Sequence, residues 1–305
     1  MSGPVGERGP VDCGLVSGGL VSGGPVEGGP VEPVAPGARA AEFLERWGLR
    51  QEGPPMRGQV AVVLPVVRTA DGARAALKLQ DVDEETAGEP VALRAWGGAG
   101  AVRLLDHDPA TGTLLLERLD ETRPLSRVPD VLAATEVIAG LLARLTSVPA
   151  PEGVRRLSDI AARMLDGVPE AVASLADAAD RRLLVSCAAA VREVAGEPGD
   201  RLLHWDLHFD NVLAAGREPW LAIDPKPLAG DPGFELLPAL WNRFGEGQLL
   251  RRFDLMTEVL GLSGERERAR AWTLGRVLQN GLWDAREGAS RLRPELAEIA
   301  RLLLR

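Results

Sequence analysis

Residues 202–213 read LLHWDLHFDNVL, and polar side chains interrupt this otherwise apolar run. It contains His204, Asp206 and Asn211 in the spacing H-x-D-x-x-x-x-N, and a later strand-like run ends in I-D-P around Asp224. Phosphoryl transfer depends on positioning and charge neutralisation rather than on covalent chemistry. Asp206 could accept the proton of an attacking hydroxyl group, while Asp224 and Asn211 could offer Mg²⁺ the oxygen ligands it prefers. The pattern therefore predicts a site for phosphoryl transfer from ATP.

The histidines of this stretch, His204 and His208, allow a competing interpretation as metal ligands. A zincin helix has glutamate directly after its first histidine, and Trp205 occupies that position here. The remaining histidine, His107, lies far upstream. Phosphoryl transfer is therefore favoured over a zinc site, and we expect His208 to bond to the loop backbone rather than to act in catalysis.

Lysine is rare in this chain: of its 35 basic residues only Lys78 and Lys226 are lysines. A planar guanidinium does not replace a compact ammonium at every site. In a chain so biased toward arginine, we expect lysine where a compact charge is needed, above all at position 78. Lys226 could contact phosphate or an acceptor, or it could form a surface ion pair, which would contribute little to stability.

The elements that position these residues follow a Gly-, Pro- and Val-rich stretch, which we interpret as a disordered tail over residues 1–36. Beyond it, Asp71-Gly72 between two β-rich runs is a strong hairpin signal. Pro90 is expected to start the last part of a helical stretch rather than to lie inside a helix. The predicted elements are a helix over 38–49, two strands within 59–80, a helix over 83–96, and strands over 101–106 and 113–119.

Beyond residue 130, apolar residues recur every three to four positions, which predicts a mainly helical second unit. Strand-length runs flank the polar cluster within 202–224. The fold class is thus α+β, with a small β-rich N-lobe over 37–119 and a larger helical C-lobe over 120–305. The cleft between two such lobes is where a ligand is expected. The predicted helices cover 131–148, 157–166, 181–196, 234–244, 248–262, 266–283 and 294–304.

Charge and hydropathy narrow the class of partner. The net charge of −9 argues against nucleic acid as the main partner. No run of about 18 apolar residues is present, so we expect no membrane partner. The N-terminus lacks the basic-then-apolar pattern of a signal peptide, and a cytoplasmic location is therefore expected.

The segment LHWDLHFDNVL, continued by IDPKPLAGDPGFELLPALWNR, resembles the aminoglycoside/hydroxyurea antibiotic resistance kinases of the aminoglycoside phosphotransferase superfamily. The resemblance runs from about residue 40 to the C-terminus and is strongest over 202–243. It implies a two-lobed protein-kinase-like fold that binds ATP and Mg²⁺ between the lobes. It also implies a small-molecule acceptor of the aminoglycoside type, with streptomycin expected. Hydroxyurea or another small alcohol is an alternative acceptor, and a pseudokinase without turnover is a further alternative.

The same resemblance assigns roles to the polar cluster. Asp206 is implied to be the catalytic base, and Asn211 and Asp224 are implied to bind Mg²⁺. His204 would support the loop that carries them. Lys78, in RAALKL, lies where this fold keeps the lysine that contacts the α- and β-phosphates.

Further residues take implied roles around this centre. Glu89 would orient the lysine at position 78, and Glu85 is its nearby competitor. The backbone from Glu117 to Leu119 would meet adenine at the hinge between the lobes. The candidates for acceptor binding are Glu235, Trp241, Asn242 and Lys226, whereas Asp231 is expected to cap the helix that follows it.

Three departures from the family pattern stand out. Trp205 lies where many relatives have glycine, which predicts a bulkier loop around the catalytic aspartate. The first hairpin offers only Gly58 instead of a G-x-G-x-x-G loop. The sequence I-D-P replaces the D-F-G of protein kinases, which argues against an activation segment switched by phosphorylation.

Overall fold

The computed structural model describes residues 36–58 and 61–305, which belong to one compact unit. The predicted tail over 1–36 lies outside the described residues except for Pro36, where the first helix begins. Residues 59 and 60 are also outside the described residues. In the described chain, a sheet-rich first part precedes a helical second part, as the sequence predicts.

The first part is built on one antiparallel sheet with the strand order β1-β3-β4-β6-β5, and β2 pairs with β3. The hairpin predicted at Asp71-Gly72 joins β3 to β4 and is confirmed. The elements are α1 (Pro36–Arg46), β1 (Leu49–Gln51), β2 (Met56–Arg57), β3 (Ala61–Arg68), β4 (Arg74–Gln80), α2 (Glu89–Trp96), β5 (Leu104–Asp108) and β6 (Thr113–Glu117).

Two predicted helices of this part are shorter than expected. The helix predicted over 38–49 ends at Arg46, because Gly48 takes a positive φ of 57° and the chain then pairs with β3. The helix predicted over 83–96 begins only at Glu89. Asp83 Oδ1 accepts hydrogen bonds from the amides of Glu85 and Thr86 at 2.8 and 2.7 Å, which closes a turn in place of helix.

The second part contains the seven predicted helices. One of them, α4, continues to Ser174, beyond its predicted end, with Pro169 inside it. The helices are α3 (Val131–Leu145), α4 (Leu157–Ser174), α5 (Ala178–Val194), α6 (Leu236–Trp241), α7 (Leu249–Val259), α8 (Arg266–Arg286) and α9 (Pro294–Leu303). Among the helices of the described residues, none is both long and apolar enough to cross a membrane.

Short strands of the second part form two three-stranded sheets, ordered β11-β10-β7 and β8-β12-β9. The strand β7 follows β6 closely in sequence yet pairs with β10 and not with the first sheet. The strands are β7 (Asp120–Pro124), β8 (Arg155–Arg156), β9 (Arg201–Leu203), β10 (Val212–Ala214), β11 (Trp220–Ala222) and β12 (Leu228–Gly230).

The alternation of side chains along β4 decides which residues face the second part. Leu77 and Leu79 pack with Phe43 of α1 in a small apolar cluster on one face of the sheet. Ala76, on the opposite face, belongs to the main core that continues through the helices. Because side chains alternate along a strand, Lys78 shares the face of Ala76 and points toward the second part.

We predict that G199A destabilises the protein by at least ~3 kcal/mol, since alanine would be strained at φ +79° and its Cβ would lie 2.8 Å from the backbone of Gly230. The matched control is G153A, where φ is +84° and no atom lies within 4 Å of the added Cβ. Strain alone should cost ~1 kcal/mol there. Denaturant unfolding measures both values, and equal losses would contradict the close approach at Gly199.

Candidate active site

The ammonium of Lys78 lies at the centre of the site. Its Nζ is 2.8 Å from both carboxylate oxygens of Glu89 and 2.8 Å from Asp224 Oδ1. Only 3% of Lys78 is exposed. Gln80 Nε2 donates to Glu89 Oε2 at 2.6 Å and fixes that carboxylate from the other side. Glu89, and not Glu85, is therefore the partner of Lys78.

One ammonium shared by two carboxylates leaves this centre with excess negative charge. Burial would lower the pKa of Lys78, but Asp224 and Glu89 together raise it above its ordinary value. Burial raises the pKa of Glu89, and the attraction of Lys78 offsets this only in part. Partial desolvation opposes ionisation of the half-exposed Asp224, yet the same ammonium holds its pKa below the usual range. Lys78 therefore remains charged and keeps Asp224 ionised.

Two neighbouring loops bring Asp206 and Asp224 to the same place. Because β9 pairs with β12 and β10 pairs with β11, the loop between β9 and β10 lies beside the loop between β11 and β12. The amide of Lys226 donates to the His204 carbonyl at 3.0 Å, and the amide of Ile223 donates to the Asn211 carbonyl at 2.9 Å. Asp206 comes from the first loop, residues 204–211, which is called the catalytic loop after its predicted role, and Asp224 comes from the second.

His204 holds the two loops together, as its predicted supporting role requires. Its Nε2–H donates to the Ile223 carbonyl at 2.9 Å, and its Nδ1 accepts the Asp206 amide at 3.3 Å. The ring is buried and stacks on Trp96 with a centroid distance of 6.2 Å. Burial lowers the pKa of His204 to about 4, so the neutral ring can accept one hydrogen bond and donate the other.

Asn211 and Asp224 have the chemistry of a magnesium site. Asn211 Nδ2 donates to the Asp206 carbonyl at 2.9 Å, which leaves the amide oxygen available to a cation. The side chain of Asp224 is 50% exposed. Its φ of 57° is unusual for a residue other than glycine, but aspartate tolerates it. Both donors are hard oxygen atoms, as Mg²⁺ prefers, so the residues fit this ion.

Asp206 is accompanied by the second lysine of the chain. Lys226 Nζ lies 3.4 Å from Asp206 Oδ2 and 3.3 Å from Glu85 Oε2. Lys226 thus forms partly buried ion pairs at the catalytic loop rather than an isolated surface pair. His208, by contrast, accepts the Asp210 amide on its Nδ1 at 3.3 Å, a bond to the loop backbone as expected.

Trp205 adopts a backbone conformation that glycine would take without strain. Its φ is 66°, a left-handed conformation that costs a non-glycine residue about 1 kcal/mol. The Trp205 amide donates to Glu235 Oε1 at 2.7 Å, and its carbonyl accepts from Arg276 Nη2 at 3.1 Å. The guanidinium of Arg155 lies 4.3 Å from the centroid of the indole ring. These contacts hold the peptide that precedes Asp206 in a strained conformation.

The structure places Glu235 beneath the catalytic loop, with 0% of its surface exposed, and not on the wall of the cleft. Its Oε2 is buried without a hydrogen-bond partner among the described residues. Burial raises the pKa of Glu235 to about 7, although the Trp205 amide favours the charged form. The carboxyl group therefore supports the loop and exchanges its proton near neutral pH.

The other residues expected at the site occupy its edges. The side chain of Glu117, at the end of β6, accepts from Arg217 Nε at 2.9 and 3.0 Å, and Leu119 is buried just beyond it. Trp241 lies under the guanidinium of Arg293, 5.1 Å from its ring centroid. Asn242 Nδ2 donates to Asp210 Oδ2 at 3.2 Å, which links the end of α6 to the catalytic loop. Asp231 Oδ1 accepts the Gly233 amide at 2.8 Å and caps the following turn, as predicted.

Sequence reasoning missed two supporting residues, Gln80 and Arg276. Arg276 is buried in α8, where it donates to Gln279 Oε1 at 2.6 Å as well as to Trp205. The available signal was a polar group of Arg276, Gln279 and Asn280 inside an otherwise apolar helical run, at a spacing that places them on one helix face. Buried polar residues on one face indicate a partner that needs hydrogen bonds.

Comparison with known proteins identifies relatives over most of the chain. Residues 46–288 match the family described as aminoglycoside/hydroxyurea antibiotic resistance kinase. A hydroxyurea phosphotransferase of Kitasatospora aureofaciens is 67% identical over 268 residues, which are 87% of this chain and 78% of the relative. A streptomycin 6-kinase of Streptomyces glaucescens is 58% identical over 274 residues, 87% of this chain and 88% of the relative.

Solved structures show the same fold at low sequence identity. One is a thermostable mutant of an aminoglycoside phosphotransferase in ternary complex with ADP and hygromycin B, with a TM-score of 0.60 and 15% identity over 86% of this chain and 97% of that one. Another is a choline/ethanolamine kinase family protein from Mesorhizobium loti, with a TM-score of 0.57 and 20% identity over 77% and 79% of the two chains. The predicted two-lobed protein-kinase-like fold is confirmed.

We predict that the contribution of the Glu235 side chain to the unfolding free energy falls as the pH rises. Because the folded-state pKa of about 7 exceeds the unfolded value of 4.5, the folded protein binds more protons between these limits. The wild type should lose about 3 kcal/mol of unfolding free energy from this group as the pH rises through that window, with the loss complete above pH 7. E235Q should lack this loss.

Unfolding free energies of wild type and E235Q at pH 5 and pH 8 test this prediction. The difference between the two proteins cancels the titration of groups that they share, such as His204. As the pH rises, the unfolding free energy of E235Q should increase relative to that of the wild type. A difference that stays constant from pH 5 to pH 8 would show that Glu235 titrates normally.

Proposed function

The chain belongs to the aminoglycoside/hydroxyurea antibiotic resistance kinase family, and we propose that it transfers the γ-phosphoryl group of ATP to a hydroxyl group of a small antibiotic molecule. The relatives reported above are a phosphotransferase and a kinase, so the chain is a phosphotransferase. The observation that carries the proposal is the convergence of Lys78 from β4 with Asp224 and Asp206 from two adjoining loops. These are the groups that phosphoryl transfer requires.

Asp206 acts as the base in this proposal. The acceptor oxygen attacks the γ-phosphorus in line with the bond to the bridging oxygen of ADP, and that bond breaks as the new one forms. Asp206 takes the proton of the acceptor hydroxyl group. The neutral ring of His204 and the strained peptide of Trp205 fix the position of this carboxylate.

Lys78 holds the phosphates of the nucleotide. Its ammonium is shared by Glu89 and Asp224. When the α- and β-phosphates arrive, the ammonium exchanges Asp224 for phosphate oxygens and stays anchored to Glu89. The nucleotide thereby frees the Asp224 carboxylate, and the adenine meets the backbone between Glu117 and Leu119.

Asp224 and the amide oxygen of Asn211 would hold Mg²⁺ in this site. The bound ion would supply positive charge against the phosphates. The hydrogen bond from Asn211 Nδ2 to the Asp206 carbonyl fixes Asn211 relative to Asp206. The same amide group therefore positions the catalytic loop and offers its oxygen to the ion.

Two acceptors are favoured by specific observations. Hydroxyurea is the first candidate, since identity to the hydroxyurea phosphotransferase is 67%. Streptomycin, the acceptor expected from the sequence motifs, is the second, since identity to the streptomycin 6-kinase is 58% over 88% of that protein. Both carry a hydroxyl group that in-line attack can use, and Trp241 and Asn242 lie at the end of α6 where an acceptor would contact the loop.

We predict that D206N lowers kcat by about 10²- to 10⁴-fold, the usual contribution of a general base, with little change in nucleotide affinity. D200N, which changes a 90% exposed carboxylate a few residues earlier, is the matched control and should retain wild-type activity. Steady-state assays of ADP release measure both. Activity of D206N within a few-fold of wild type would remove Asp206 from the role of base.

The acceptor is tested by incubating the purified protein with ATP, Mg²⁺ and either hydroxyurea or streptomycin. Mass spectrometry then detects a phosphoryl group on the acceptor, and kcat/KM ranks the two. We expect transfer to hydroxyurea to be the more efficient. A higher value for streptomycin would reverse the order, and ATP binding without transfer to any hydroxyl compound would indicate a pseudokinase.

A further inference from the structure

Lys226 occupies an unusual position for an ion-paired lysine. It follows Asp224 by two residues, and its amide donates to the His204 carbonyl at 3.0 Å. Its main chain is therefore fixed to the loop that carries Asp206. The side chain is only 25% exposed and turns back toward that loop. The ammonium thus lies beside Asp206, whereas the ammonium of Lys78 lies beside Asp224 and Glu89.

Two carboxylates on opposite sides of the cleft share this ammonium. Glu85 comes from the turn before α2 in the first part, and its Oε2 is 3.3 Å from Lys226 Nζ. Asp206 comes from the second part, at 3.4 Å. Glu85 is itself only 14% exposed, so this bridge is shielded more than an ordinary surface pair. A lysine within contact distance of Asp206 is also within reach of a group that Asp206 activates.

We propose that Lys226 is a catalytic residue whose ammonium binds the γ-phosphoryl group during transfer, and that Glu85 is the positioning residue that aims it. This inference rests on the proposed phosphotransferase function. As the acceptor oxygen bonds to phosphorus and the bond to ADP breaks, negative charge is spread over the three non-bridging oxygens. Lys226 neutralises that charge, and the proton of the acceptor goes to Asp206.

The bridge restrains the ammonium of Lys226 from both parts of the chain. Asp206 holds Lys226 near the position of the phosphoryl group, and Glu85 restrains it from the first part. On arrival of the nucleotide, the ammonium exchanges Asp206 for phosphoryl oxygens, and Asp206 becomes available to the acceptor hydroxyl group. A compact ammonium can make this exchange by a small rotation, which a planar guanidinium matched to one carboxylate cannot.

The test compares K226M with R163Q. Arg163 forms the neighbouring pair between the two parts, at 3.3 Å from Glu84, but both side chains are about 60% exposed and neither contacts Asp206. K226M should lower kcat about 10²- to 10³-fold, with KM for ATP changed less than about threefold. K226R should recover only part of the loss, and R163Q should stay within about twofold of wild type.

Rescue by a small amine separates a catalytic role from a structural one. Methylammonium should restore the activity of K226A at least about tenfold and should leave D206N unchanged, because it replaces the missing charge and not the base. Melting temperatures check that the variants are folded. If K226M and K226A are unfolded, E85Q carries the test, and its kcat should fall about three- to tenfold while nucleotide affinity is kept.

Folded K226M with a kcat within about threefold of wild type would overturn the role of Lys226. Folded K226A that methylammonium fails to restore would do the same, as would unchanged kcat in E85Q if that variant is the one tested. Wild-type transfer is measured in parallel. Its absence with both acceptors would overturn the proposed function as well, whereas robust wild-type transfer with an active K226M would refute the inference about Lys226 alone.

Discussion

The organisation of this protein depends on one buried ammonium, Lys78, that joins its two parts. Its carboxylate partners come from α2, which follows β4, and from a loop of the second part. The sheet supplies Lys78, α2 supplies Glu89, and the paired strands β10 and β11 supply Asp224. Breaking a buried pair by removing one partner is far more damaging than losing a surface pair. The register of the sheet, the start of α2 and the loop after β11 must therefore bring Lys78, Glu89 and Asp224 to the same point.

The catalytic loop shows a different constraint, backbone strain that is compensated beneath the loop. Trp205 adopts a left-handed conformation. Its amide donates to Glu235, and its carbonyl accepts from Arg276. Strained conformations persist where surrounding contacts over-determine them, and such residues are common at functional sites. Here the strained residue directly precedes Asp206. The support comes from α8 and from the turn before α6, which are remote in sequence from the loop.

Sequence patterns predicted the elements well where the physical signal was local. The helices of the second part follow from apolar periodicity, and the hairpin between β3 and β4 follows from Asp71-Gly72. The start of α2 was missed because Asp83 caps a turn that competes with helix, and β1 was missed because its pairing with β3 is a tertiary contact. Glu235 was expected in the cleft, but its polarity alone could not reveal that it bonds to a main-chain amide below the loop. For Lys226 a contact with phosphate or an acceptor was among the expectations, but its pairing with Glu85 was not, since nothing in the spacing of positions 85 and 226 indicates contact.

The scarcity of lysine has a practical consequence. The chain has two lysine side chains, and one pairs with Asp224 while the other pairs with Asp206. Incorporation of ¹⁵N-lysine would thus give a spectrum with two ammonium probes, each reporting on a separate end of the bound nucleotide. An acylating reagent would distinguish them as well, because Lys226 is the more accessible of the two. Changes around both ammonium groups can therefore be followed in one isotope-labelled sample, without any substitution in the chain.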